Sequence, residues 1–401
     1  MGIVPLMSLH ARYVVALVLI GSLAACDIAD VAGGGGGPVE GVPGSSTATP
    51  AFTGAPALAV PDSAVRTIAT GLRIPWGLAF LPDGTALVTE RGNTVPTADK
   101  ARDDNSGVPR IVSVTPAGKV TEVQRLTEVD RRTGEGGLLG IAVSPTYATD
   151  QWVYIYYSAA DDNRIARLKI GQPPQPIVTG IPVSGDDGRY HQGGRLAFGP
   201  DGMLYASVGE TYFDSQIAQD RASLGGKILR MTPDGKPAPG NPFPDSLVWS
   251  YGHRNVQGLA WDSRGRMYAS ELGSKTYDEI NLIEPGRNYG WPRVEGFGTD
   301  PQYTNPIATW TPTSVASPSG IAILGDHLYV ACLRGQTLYR LDLDGRNPRK
   351  LLDNHGRLRT VTVAPDGSLW VTTSNRDQVG REDGLPQTPE GDIILRLVPP
   401  S

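Results

Sequence analysis

Five stretches of the 401-residue chain carry side chains that could do chemistry. His191-Gln192-Gly193-Gly194-Arg195-Leu196 offers an imidazole followed by two glycines. An imidazole can serve as a base near neutral pH, and glycines let the backbone pass close to another group without Cβ interference. Tyr251-Gly252-His253-Arg254-Asn255-Val256-Gln257-Gly258 and Gly356-Arg357-Leu358-Arg359 supply guanidiniums. Their fixed fork of donors suits carboxylates, quinone oxygens or phosphates. Gly134-Glu135-Gly136-Gly137-Leu138-Leu139 sets a carboxylate among glycines. Ser270-Glu271-Leu272-Gly273-Ser274, running on to Asp278-Glu279-Ile280-Asn281, offers carboxylate and carbonyl oxygens that suit a hard cation such as calcium, without EF-hand spacing. Each stretch also has a plainer reading. The histidine could sit in a surface turn, Arg357 and Arg359 could form a solvated strand face, and Asp278-Glu279 could be turn residues.

The elements that must position these groups form a repeat. Gly77-Leu78-Ala79-Phe80-Leu81-Pro82-Asp83-Gly84 leads into Ala86-Leu87-Val88-Thr89-Glu90, and the phrase returns near residues 140, 195, 258, 320 and 360. Each copy is a hairpin of period-2 apolar strands, often around an Asp-Gly turn. A second strand pair follows most copies, as in Arg110-Ile111-Val112-Ser113-Val114 and Lys227-Ile228-Leu229-Arg230-Met231. Two hairpins make a four-stranded antiparallel blade, so the chain reads as all-β, a six-bladed β-propeller. Val65-Arg66-Thr67-Ile68 has no hairpin partner before it and is expected to pair with residues 393–398, closing the ring. Loops from every blade then converge at a central mouth, where His191 enters the third blade.

Charge and the N-terminus bound the remaining choices. Thirty-six Lys and Arg against 41 Asp and Glu give a net charge of −5, which argues against a nucleic-acid partner. Residues 1–26 read as an export signal whose apolar run, 13–23, is too short to span a bilayer. It ends in Leu23-Ala24-Ala25-Cys26, similar to a bacterial lipobox, with Cys26 as the lipidated residue. Residues 27–64, rich in Gly, Pro and Ser, read as a flexible tether, and 65–401 as the propeller domain. The protein is thus expected outside the cytoplasm, touching the cell membrane through the lipid anchor alone. Cys332 is the other cysteine, set in an apolar strand pattern, so no internal disulfide is expected.

Taken together, His191-x-Gly193-Gly194-Arg195-Leu196, Tyr251-Gly252-His253-Arg254-Asn255-x-Gln257-Gly258, and Asp278-Glu279-Ile280-Asn281 with Asn288-Tyr289-Gly290-Trp291-Pro292 resemble the soluble glucose/sorbosone dehydrogenase family. That family includes aldose sugar dehydrogenases that use pyrroloquinoline quinone (PQQ). The resemblance implies a six-bladed propeller that oxidises the C1 hydroxyl of an aldose to the lactone. His191 would be the base, oriented by Glu210, and Arg254 with Asn255 would face the quinone oxygens. Arg334, Arg357 and Arg359 would hold cofactor carboxylates, and Thr313 or Ser314 would supply a hydroxyl. The carbonyls of Gly273 and Ser274, with Asp278 behind them through water, would bind calcium (Ca2+). The partners implied are a small sugar substrate and an electron acceptor whose identity stays open.

This sequence departs from the family pattern at four positions. Leu272 stands beside the cofactor where a polar residue is usual, and Glu135 stands for glutamine. Ser274 stands for proline and Arg334 for lysine. Two other functions use this kind of fold: a cofactor-free binding module and a metal-dependent lactonase. Fold alone does not separate them.

Overall fold

The computed structural model describes residues 50–92, 107–130, 134–183, 190–377 and 391–400. The export signal, Cys26 and the tether up to residue 49 lie outside the described residues.

Six antiparallel four-stranded sheets stand around one axis as a propeller. The innermost strands are Pro75–Phe80, Leu138–Val143, Leu196–Phe198, Val256–Trp261, Pro318–Leu324 and Leu358–Val363. The second strand of each blade is buried along its whole length in five of the six blades: Ala86–Glu90, Val153–Ser158, Leu204–Val208, Met267–Glu271 and Leu369–Thr373. Such strands are covered on both faces by neighbouring blades, so they read as near-continuous apolar or small-residue runs. Between blades two and three, for example, Tyr154, Tyr156, Leu204 and Leu229 share one buried cluster, joined by Trp76 of the first blade.

The ring closes as the repeat predicts. Val65–Leu72 pairs antiparallel with Asp392–Leu397, so the N-terminal strand becomes the outer strand of the sixth blade. Pairing the two ends of the chain removes an open sheet edge.

One boundary moves. Composition extends the tether to residue 64, yet the chain lies on the propeller from Pro50 onward. Ala51–Phe52 pairs parallel with Ala308–Trp310, adding a strand to the fourth blade, and Phe52 packs against Trp310. Leu58 N–H donates to Lys350 O, and Lys350 N–H to Pro56 O. Composition registers the lack of a core in this segment. It does not register the unpaired edge strands that supply its hydrogen bonds.

Candidate active site

His191 lies in the turn that enters the third blade and takes a left-handed backbone, φ 53°. Behind it the second strand passes so closely that a Cβ on Gly193 would stand 2.7 Å from Ser207 O, and one on Gly209 would overlap the His191 carbonyl oxygen. The two glycines therefore exist to let the histidine turn lie flat on the strand.

The imidazole is held at both nitrogens. Nδ1 lies 2.7 Å from Glu210 Oε1, and Nε2 lies 2.9 Å from Arg254 Nη2. A carboxylate accepts and a guanidinium donates, so the proton is on Nδ1 and the lone pair on Nε2. Glu210 also accepts from the Tyr212 N–H at 2.8 Å, and its own N–H donates to Arg254 O at 2.9 Å. Arg254 Nη1 donates to Leu272 O at 2.9 Å, and the guanidinium lies over the Trp291 ring, 5.4 Å from its centroid. Glu135 Oε2 accepts from His191 N–H at 3.0 Å and from Asn255 Nδ2 at 3.3 Å. His191, Glu210, Arg254, Asn255, Glu135 and Leu272 thus form one bonded cluster, although 137 positions separate the first of them from the last.

The fourth blade repeats the motif in sealed form. His253 Nδ1 lies 2.9 Å from Glu271 Oε2, its Nε2 meets Ser250 Oγ at 2.8 Å, and its ring stacks on Tyr289. Glu271 accepts the Arg254 N–H through its other oxygen. The backbone of Arg254 is therefore pinned by Glu271 at its amide and by Glu210 at its carbonyl.

Beside the cluster lies a recess of about 110 Å³ lined by Glu135, Gln257, Leu272, Ser317, Leu333, Arg334, Arg357, Arg359 and Asp377. Arg357 and Arg359 are buried, not a solvated face. Asp377 accepts from Arg359 Nη2 at 2.6 Å and from both Arg91 terminal nitrogens at 3.2 and 2.9 Å. Burial lowers Arg359 to about 10, so it remains charged near neutral pH. Among the described residues, buried Arg357 Nε and Nη1 and Arg254 Nε have no hydrogen-bond partner. Unsatisfied buried donors are costly and call for an acceptor. A flat anionic molecule carrying carboxylates and carbonyls fits this donor set. The charge of Glu135 is offset by the arginines it faces, and Leu272, which lines the recess, holds Arg254 through its carbonyl.

The turn containing Gly273 and Ser274 is shaped by two carboxylates. Glu295 Oε1 accepts from the amides of Ser274, Lys275, Thr276 and Tyr277, at 2.7 to 3.2 Å. Asp278 accepts from the amides of Gly273 and Ser317. In a trans peptide the carbonyl points opposite to the following N–H. The carbonyls of Gly273 and Ser274 therefore face away from Glu295. Burial pushes Asp278 up to about 7. Among the described residues no trio of His, Cys, Asp or Glu side chains could hold a metal ion, so a cation here would depend on carbonyl oxygens. Thr313 stands outside the recess lining. Its carbonyl accepts from Ser317 Oγ, and it is Ser317 that lines the recess.

Arg91, Asp377 and Glu295 escape the sequence reading. A signal for two of them exists, since Glu90-Arg91, Glu210, Glu271 and Asp377 all sit at or just beyond the end of a blade's second strand.

The chain is a six-bladed propeller with a His–carboxylate pair beside a buried, arginine-lined recess. The family model for glucose/sorbosone dehydrogenase matches residues 72–381, and the chain belongs to that family. The PQQ-bound aldose sugar dehydrogenase of Streptomyces coelicolor is 48% identical, with a TM-score of 0.72 over 83% of this chain and 97% of that one. The aldose sugar dehydrogenase of Escherichia coli is 28% identical over 77% of this chain and 89% of its own. The quinoprotein glucose dehydrogenase B of Acinetobacter calcoaceticus is 30% identical over 59% of this chain and 54% of its own.

Proposed function

We propose that this protein oxidises the C1 hydroxyl of aldose sugars to the lactone, with PQQ as cofactor and calcium beside it. The observation that carries the reading is the His191 lone pair, fixed by Glu210 and Arg254 next to guanidinium donors that lack acceptors. The PQQ-bound relative at 48% identity supports it.

Arg357, Arg359 and Arg334 would hold the anionic edge of the quinone, and Arg254 with Asn255 would face its reactive carbonyls. When bound, the quinone supplies a two-electron acceptor for the C1 hydride. His191 Nε2 takes the hydroxyl proton as C1 becomes a carbonyl carbon. For this the sugar hydroxyl replaces the Arg254 hydrogen bond at Nε2, and the guanidinium stays within reach of the reacting oxygen. Glu210 keeps the proton on Nδ1 and stabilises the imidazolium that forms. Calcium would sit on the Gly273 and Ser274 carbonyls, whose orientation Glu295 and Asp278 maintain.

Reconstitution tests this. Purified protein loaded with PQQ and calcium should reduce an artificial dye in the presence of aldose, and chelation of calcium should abolish the activity reversibly. Absence of PQQ binding would overturn the reading. Gly209→Ala should lower kcat by about tenfold or more while the sugar KM changes less. The new Cβ displaces the His191 backbone, and small misplacements of a catalytic group cost rate steeply.

A further inference from the structure

The segment Thr211-Tyr212-Phe213 breaks two rules at once. Among the described residues Tyr212 and Phe213 are two of five exposed large hydrophobic side chains, 54% and 61% exposed, and they are adjacent in sequence. Thr211 and Tyr212 also both take φ 70°, a conformation strained for β-branched and aromatic residues. Strain of this kind persists where surrounding structure imposes it, and it clusters at ligand-binding positions.

Here the imposing group is the carboxylate that holds the base. Glu210 accepts from His191 with one oxygen and from the Tyr212 N–H with the other, and the Phe213 N–H closes onto Thr211 O. The Tyr212 ring meets the His191 imidazole edge-on, with centroids 5.1 Å apart. Phe213 meets Tyr212 edge-on at 5.1 Å, and Tyr190 lies 5.5 Å from Tyr212. The aromatic surface thus starts at the base and runs outward. A sugar ring whose C1 hydroxyl reached His191 Nε2 would therefore approach within reach of Tyr212. Phe213 extends the surface by a further ring.

We propose that Tyr212 and Phe213 form a stacking subsite for the second ring of a reducing disaccharide or longer oligosaccharide. Exposed aromatic faces bind the C–H face of a pyranose, and aromatics supply contact area at little entropic cost. This rests on the dehydrogenase reading and narrows its substrate class to aldoses bearing a further sugar unit.

The test uses the quinone-loaded enzyme with glucose and with cellobiose. Wild type should favour cellobiose in kcat/KM. Phe213→Ala should raise the cellobiose KM about tenfold, within what one aromatic contact supplies, with kcat little changed and a smaller effect on glucose. Phe213→Leu keeps apolar bulk without a ring face and should also lose the preference. Tyr212→Ala should raise both KM values. A parallel readout uses quinone-free protein and methyl β-cellobioside, which has no free C1 hydroxyl. Saturation-transfer NMR should detect its binding to wild type and lose it in Phe213→Ala. Unchanged sugar KM ratios in all three variants would overturn the subsite, as would an effect confined to the KM of the dye acceptor. Phe213-dependent glycoside binding without any sugar oxidation would instead sink the dehydrogenase reading and leave the subsite standing.

Discussion

His191→Ala should lower kcat by about 10²- to 10⁴-fold, the range a positioned general base contributes, while PQQ still binds. The split follows from the geometry. The groups around Nε2 are the donors of Arg254, which cannot accept a proton. Glu210 lies on the far side of the ring and reaches the substrate only through the imidazole. Arg359 in the recess is anchored by Asp377 and Gln257, neither of which touches His191, so removing the histidine leaves it in place. Steady-state dye reduction at saturating sugar, beside equilibrium titration with quinone, separates the two effects. A loss of less than tenfold in kcat would mean that another group takes the proton. Glu210→Gln is the companion variant. An amide NH2 facing Nδ1 would draw the proton to Nε2, the wrong tautomer for a base, so the rate should fall although the side-chain shape is kept.

Asp377→Ala should cost about 3–5 kcal/mol of unfolding free energy, the usual effect of breaking a buried ion pair from one side. Asp377 is fully buried between Arg91 and Arg359, whose side chains are 1% and 4% exposed. Removing the carboxylate leaves two guanidiniums out of water with their principal counter-charge gone. Burial already depresses Arg359, and the neighbouring Asp377 carboxylate is the main influence that opposes this. Denaturant unfolding of the quinone-free protein measures the loss. Saturating PQQ should recover part of it, because a ligand that binds the native state stabilises it by mass action and its carboxylates return negative charge to the recess. A change below about 1 kcal/mol would show that the triad is balanced by other groups.

Much of the molecule was legible because its information is local. Period-2 apolar runs around turns report a strand pair without knowledge of the neighbours, and six returns of one phrase report a ring. The His191-x-Gly-Gly pattern was readable for a similar reason. Glycine before a strand signals a close backbone approach, and the approach is to Ser207, Val208 and Gly209. The lacing of residues 50–60 across the fourth and fifth blades was not readable, since its partners, Ala308–Trp310 and Lys350, lie some 250 to 300 positions away. Arg91 and Asp377 were invisible for the same reason. Each is an ordinary charged residue after a strand until the ring brings them together across 286 positions.

The sequence by itself determined the blade repeat, the closing strand, the identity of the candidate base and the arginines near it. The repeat and the unpartnered first strand follow from residue type and short-range spacing, while the roles of the histidine and the arginines follow from the family resemblance. Only the tertiary structure decided which nitrogen of His191 carries the lone pair, which histidine is open and which is sealed, and which nitrogens of Arg254 and Arg357 are left without acceptors. His191 and His253 stand in like sequence surroundings, each followed about twenty residues later by a buried glutamate. What separates them is Ser250 and Tyr289 packed over one imidazole and Arg254 with an aromatic surface beside the other. Hydrogen-bond direction and solvent access are properties of such neighbours, and Arg254 reaches His191 from 63 positions away.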